Sequence, residues 1–233
     1  MNINIICPTR NRPGNIIRLI NSLLNTTCYF ERIFLRIYVD SDDTLTPSLV
    51  DHIKATRKDI NIIQVTGQNR IPITSMFNIL AKDVPEDEIM FFCGDDITFD
   101  TVNWDLQIVD EFDKVKDKIL LVYGDDGYQH EKLCTHFFLH KKWVTALGYV
   151  IPEIFPGDWA DNYIMDVATR INRIKYLPEL KTIHHHPITT NAPLDMVYVE
   201  KFNRDRQVNA PKIFNDSLSL RLSDANKLLK HIL

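Results

Sequence analysis

Glu88–Phe99, EIMFFCGDDITF, settles the class of fold. Glu88–Cys93 is a short apolar run rich in aromatic residues, which predicts a strand buried on both faces. Strands of that kind belong to sheets covered on both sides by crossover helices. At the carboxyl end stand Gly94, Asp95 and Asp96. Two carboxylates at the end of a buried strand are costly to desolvate unless a cation or hydrogen-bond donors compensate. Oxygen ligands with open positions suit Mg²⁺ or Mn²⁺ shared with a diphosphate. The same pair also fits an ordinary turn, where Asp is favoured.

Toward the amino terminus, three strand–helix units precede this segment. Ile3–Cys7 is a strand, followed by a helix over Asn15–Asn25 in which Ile16, Ile17, Leu19, Ile20, Leu23 and Leu24 recur at helical spacing. Ile33–Val39 is the second strand, and a helix follows near Ser48–Thr56 with Pro47 at its first turn. Ile60–Val65 is the third strand and Thr74–Lys82 a helix. This alternation predicts a single α/β domain, Rossmann-like, with a mostly parallel central sheet flanked by helices. Ligands bind at the carboxyl ends of such strands. One rim would then collect Pro8-Thr9-Arg10-Asn11-Arg12, Asp40-Ser41-Asp42-Asp43 and Gly94-Asp95-Asp96. No G-x-G-x-x-G follows the first strand and no G-x-x-x-x-G-K-[ST] occurs, so phosphates fall to a metal and to Arg10, Arg12 or Arg70.

Toward the carboxyl terminus, Val102–Val115 is expected as a helix and Ile119–Tyr123 as a strand. Thr135–Leu139 is a strand leading into a helix over Lys141–Leu147. In Asp158–Ile171, Asp158 reads as the N-cap with Asp161 three residues on, an arrangement like a capping box. Trp159, Tyr163, Val167 and Ile171 define a buried face, and Asp161 lies nearly opposite it. A carboxylate there serves either as a cap or as an acceptor for a hydroxyl proton. Ile174–Leu177 and Lys181–His184 are extended pieces around Pro178, and one helix, Leu218–Leu233, closes the chain. Strand alternation puts His184 and His186 on one side and His185 on the other. A structural role and metal or diphosphate ligation weigh equally for these three. No paired cysteines or H-E-x-x-H accompany them, which argues against a dedicated zinc site.

The 233 residues carry a net charge of −4, which weighs against a bulk nucleic-acid binder. From Glu200 onward seven Lys/Arg face four Asp/Glu, a locally basic tail that reads first as a solvated helix surface. The four cysteines have no C-x-x-C spacing and suit a reducing compartment. No secretory leader and no apolar run of roughly 20 residues is present, so the expected location is cytoplasmic.

The ordered set of motifs resembles the GT-A class of glycosyltransferases, especially the large inverting family found in bacterial polysaccharide and phage enzymes. The matching segments are Pro8–Arg12 after the first strand, Asp40 at the end of the second, and Gly94-Asp95-Asp96 in the place of the D-x-D motif. GDWADN and YLPELKTIHHHP complete the order. The resemblance spans residues 3–187. It implies a donor-binding half over 1–100, an acceptor half over 101–187 and a helical extension over 188–233 packed on the same domain. Asp40 would read the base. Pro8, Thr9, Arg10, Arg12, Arg70 and Asp95 would contact the donor, as would Gln68 and Asn69. Mn²⁺ or Mg²⁺ would sit on Asp96 and His184. Because Gly94 stands where the family commonly has Asp, Asp96 becomes the principal ligand and Asp95 a helper. Asp161 would be the base. The implied donor is a nucleoside diphosphate sugar, with a UDP-sugar favoured. The acceptor would be a glycan, a lipid-linked sugar or a modified nucleic acid, held by Asp125–Phe155 with Tyr123, Tyr128, His130, His136 and Trp143. Two other functions remain compatible. A sugar nucleotidyltransferase needs a Gly-rich basic loop, where this chain has only Gly14; a silent sugar-nucleotide-binding domain would accord with the incomplete acidic motif.

Overall fold

In the computed structural model, residues 1–67, 70–190 and 192–232 are described. β1 (Ile3–Thr9) is buried along its whole length, and α1 (Pro13–Thr26) starts on a proline and buries Ile16, Leu19, Ile20 and Leu23. β2 (Ile33–Val39), α2 (Leu45–Thr56), β3 (Asn61–Thr66) and α3 (Ile73–Lys82) repeat the unit. β4 (Ile89–Phe92) is followed by β5 (Ile97–Phe99), a three-residue strand that the sequence pattern does not announce. Next come α4 (Trp104–Asp113), β6 (Leu121–Asp125), β7 (Phe137–His140), α5 (Lys141–Leu147) and α6 (Ala160–Arg170). β8 (Ile174–His184) runs straight through Pro178 as one strand, not two pieces. The tail holds α7 (Pro187–Thr190), α8 (Met196–Asp205), α9 (Ala210–Asp216) and α10 (Leu218–Leu229). Only α10 was expected there. The three others span four, ten and seven residues, and α8 and α9 each bury one residue.

The eight strands form one sheet in the order β3-β2-β1-β4-β7-β6-β8-β5. Among the described residues four of its seven pairings are parallel; β4–β7, β6–β7 and β5–β8 are antiparallel. Strand alternation splits the core cleanly. Met90 and Phe92 face α3, α5, α6 and α10, whereas Phe91 joins Phe138, Trp104 and the α1 residues on the other face. On the first face, α10 is fixed by Asp224, which accepts bonds from the hydroxyls of Tyr149 at 2.5 Å and Tyr163 at 2.8 Å.

This topology explains the rim. β1, β2 and β4 are parallel, so their carboxyl ends coincide. β7 is antiparallel to β4, with Phe92 opposite Phe137, so His136 before β7 lies at the same rim beside Cys93. β5 pairs with β8, placing Ile97 opposite His184, and His185 N–H donates to the Asp96 carbonyl at 2.7 Å. Two segments 88 positions apart are thereby clamped together.

Candidate active site

The strand ends open onto one cavity of about 570 Å³. Its wall includes Asp40, Asp95, Asp96, His136, Asp161 and His184. The three expected clusters do meet. Thr9 Oγ1 donates to Asp95 Oδ2 at 2.7 Å, and Arg12 Nη1 reaches Asp95 Oδ1 at 3.1 Å. Asn15 Nδ2 adds a bond to the same oxygen at 3.2 Å. Asp43 accepts the backbone N–H of Asn11 at 2.7 Å and those of Leu45 and Thr46, joining the first two loops.

Asp95 and Asp96 differ in their surroundings. Asp95 is saturated by Thr9, Arg12 and Asn15; burial raises its carboxyl, with Arg12 opposing and the Asp96 charge adding. Asp96 has His184 Nε2 3.4 Å from Oδ2 and accepts a hydrogen bond from the Tyr198 hydroxyl. Burial pushes its carboxyl up, but hydrogen bonding with His184 and Tyr198 outweighs that and holds it well below the usual range. Asp96 is therefore the member of the pair that keeps its charge to lower pH. Gly94 has a steric reason too. A Cβ there would lie 2.6 Å from Asp96 Oδ1, so the carboxylate folds over a residue without a side chain.

The histidines alternate as expected. His184 and His186 line the cavity, while His185 Nε2 lies 2.9 Å from Thr98 Oγ1. His136 is buried, its ring centroid 4.8 Å from that of His184, and its Nε2 has no partner among the described residues. Burial, and then His184, lower its imidazole to about 3, so it stays neutral. Among the described residues no three His, Cys, Asp or Glu side chains form a closed metal cage. The donor set at Asp96 and His184 suits a cation that completes its shell with phosphate oxygens and water, as Mg²⁺ does and as Mn²⁺ can with the same ligands.

Asp40 is buried, 3.6 Å from Arg10 Nε, and its Oδ1 accepts no bond among the described residues. Burial raises its carboxyl, with Arg10 opposing. Asp161 lies on the first turn of α6 with its carboxylate partly buried in the cavity wall. Oδ1 accepts the neighbouring Asn162 N–H at 2.9 Å, and burial pushes the carboxyl up to about 6. The capping expectation fails here. Trp159, at φ 70°, precedes the helix and makes no side-chain cap, and Asp158 instead pairs with Lys201 Nζ at 2.7 Å. The turn before α6 is left-handed, so Asp158 lies too far back along the chain to reach the first helical N–H groups.

Other expected site residues fare differently. Gln68 and Asn69 lie outside the described residues. Of Tyr123, Tyr128, His130, His136 and Trp143, only His136 lines the cavity. Trp143 is fully buried in the core, Tyr123 is buried with its hydroxyl on the Glu131 carbonyl, and His130 pairs with Asp125. Arg10, Arg12 and Arg70 are at the cavity but already engaged by carboxylates, two of them from α8. That helix was missed altogether. Its signal was an Asp195 N-cap before MVYVEKF, and Asp195 does cap the Tyr198 N–H at 3.0 Å.

The fold that these elements build is that of the GT-A class of glycosyltransferases. Solved structures similar to the chain include the mannosyltransferase PcManGT from Pyrobaculum calidifontis in complex with GDP-Man and Mn²⁺, with TM-score 0.62 and 14% identity over 78% of this chain. S. aureus TarS 1-349 aligns with TM-score 0.61 and 17% identity over 99% of this chain and 79% of its own. The same protein in complex with UDP-GlcNAc aligns with TM-score 0.60 and 17% identity over 78% of this chain and 57% of its own. The chain spans 56% of the mannosyltransferase and 41% of another TarS chain. No protein-family model and no curated protein matches the sequence. No described helix is long and apolar enough to cross a membrane.

Proposed function

We propose that the chain is a metal-dependent glycosyltransferase that moves a sugar from a nucleoside diphosphate to an acceptor hydroxyl with inversion of configuration. The observation that carries this is the meeting, in one cavity, of a charged Asp96 beside His184, an Asp40 carboxylate oxygen without a partner among the described residues, and a raised Asp161. These lie at the strand ends, where open α/β sheets take ligands. Structures of similar fold bound to GDP-Man with Mn²⁺ and to UDP-GlcNAc support the same ligand class.

Asp40 Oδ1 is an acceptor waiting for a donor, and a ring N–H of a nucleobase such as uracil satisfies it. Pro8 and Thr9 form the adjoining wall, and Arg10, Arg12 and Arg70 take the diphosphate. Asp95 positions Arg12 and the first loop. Asp96 with His184 would hold Mn²⁺ or Mg²⁺, which when bound neutralises charge on the departing diphosphate as a Lewis acid. Asp161 accepts the proton from the acceptor hydroxyl, whose oxygen attacks the anomeric carbon opposite the leaving group. Residues 1–100 thus serve the donor and 101–187 the acceptor. The acceptor belongs to the glycan, lipid-linked sugar or modified nucleic acid classes. Four free cysteines accord with a cytoplasmic location.

The deciding experiment is a thermal-shift panel of UDP, GDP and their sugars with and without Mn²⁺. A rise in Tm with one nucleotide, larger with Mn²⁺, is expected. No shift with any nucleotide would remove this function.

A further inference from the structure

The arginines assigned to the diphosphate are each engaged by carboxylates, two of which come from the tail. Arg12 grips Asp195 at two points, Nε at 2.6 Å and Nη2 at 2.7 Å, while Nη1 holds Asp95. Arg10 gives Nη2 to Asp42 at 2.7 Å and Nη1 to Glu200 at 3.1 Å, with Nε turned toward Asp40. Arg70 Nη1 reaches Glu200 at 2.6 Å. Between the two acids on α8, Tyr198 donates to Asp96 and lies under the Arg12 guanidinium, 4.3 Å from its ring centroid. A phosphate that takes the paired donors of Arg12, or the Nη groups of Arg10, must therefore displace a carboxylate.

Three of these carboxylates are partly exposed, Asp42 after β2 and Asp195 and Glu200 of the tail; Asp42 meets Arg10 and Arg70, whereas the tail pair engages all three arginines. Asp40 and Asp95 are buried at strand ends, whereas the side chains of Asp195 and Glu200 are 42% and 35% exposed. Tyr198 is the one buried residue of α8 among those described, so little apolar area holds the helix down. Segments with few buried apolar contacts open at low free-energy cost. Lys201, paired with Asp158 and Asp205, ties the next turn to the start of α6.

We propose that α8 is an intramolecular counter-ion plug: Asp195 and Glu200 occupy the arginines of the diphosphate site until a nucleoside diphosphate displaces them. This rests on the assignment of Arg10, Arg12 and Arg70 to the diphosphate. Carboxylate and phosphate present similar paired oxygens to a guanidinium, and phosphate brings more charge. While the plug is seated, the site is unavailable, and apparent affinity falls by the fraction of open molecules.

The test is calorimetric titration of the full chain with UDP, GDP and inorganic pyrophosphate, with Mn²⁺ present. The double variant Asp195→Asn/Glu200→Gln is compared with wild type and with Asp216→Asn, which removes a charge from an exposed pair on α9. Asn is a good N-cap, so α8 keeps its start. The double variant is expected to bind the preferred nucleotide about tenfold more tightly, as an open fraction near one in ten would give, and Asp216→Asn to match wild type. In wild type, hydrogen exchange over 195–205 should speed up on addition of nucleotide. Equal or weaker binding by the double variant, or slower exchange over α8, would overturn the plug while leaving the site intact. Absence of nucleotide binding in all three proteins would instead sink the diphosphate site on which it rests.

Discussion

At the scale of single residues, Asp161 carries the sharpest consequences. A base must be ionised to accept a proton, and burial sets this carboxyl at about 6. kcat/KM should therefore fall tenfold per pH unit below that value and level off above it. Asp161→Asn should abolish transfer while leaving nucleotide binding nearly unchanged; full activity in that variant would exclude Asp161 as base. Linkage fixes a second sign. A carboxyl raised on folding favours the folded state while protonated, and that contribution is lost as pH rises through about 6. Asp161→Asn should thus be the more stable protein at pH 7.5, by on the order of 1 kcal/mol, with the difference vanishing near pH 4. Urea melts at the two pH values check it. Gly94 gives another residue-scale test. An alanine Cβ would press on Asp96 Oδ1 and turn the carboxylate away from His184 and Tyr198. Gly94→Ala should lose the Mn²⁺-dependent part of nucleotide stabilisation while keeping a near-native Tm. An unchanged Mn²⁺ response would separate Asp96 from the cation.

At the scale of elements, two short pairings build what no single motif contains. β4–β7 carries His136 to the rim, and β5–β8 brings His184 to Asp96. The strands before Asp96 are readable because each is a run of apolar residues closed by a turn. β5 is three residues long, and a run so short has no period to detect. α8 and α9 escape for a related reason. Each buries a single residue among those described, so their helicity depends on caps and on the surface beneath, not on an apolar stripe. α10 is the contrary case. Its Asp224 is fully buried and receives both tyrosine hydroxyls and Lys227. Asp224→Ala leaves the buried Tyr163 hydroxyl and the half-buried Tyr149 hydroxyl without this acceptor, so a loss of about 2–4 kcal/mol is expected in urea unfolding. A change within 0.5 kcal/mol would show that apolar packing alone holds the helix.

At the scale of the whole molecule, the amino-acid order alone determined the α/β class, the central strands and the convergence of Pro8–Arg12, Asp40 and Asp95–Asp96 on one rim. These follow from local rules: apolar runs, helical spacing, and the tendency of parallel strands to end together. Alternation likewise placed His184 and His186 on one side. Tertiary structure alone decided which carboxyl is held low and which is raised, because that depends on Thr9, Arg12, Asn15, His184 and Tyr198 arriving from five separate elements or loops. It decided that Asp158 pairs with Lys201 instead of capping, and that His136, not Tyr123, Tyr128, His130 or Trp143, faces the cavity. It also decided that the arginines meant for a ligand are first met by the protein's own tail. Charge partners nearly 190 residues apart leave no periodic trace in a sequence, since only the folded sheet brings them within reach.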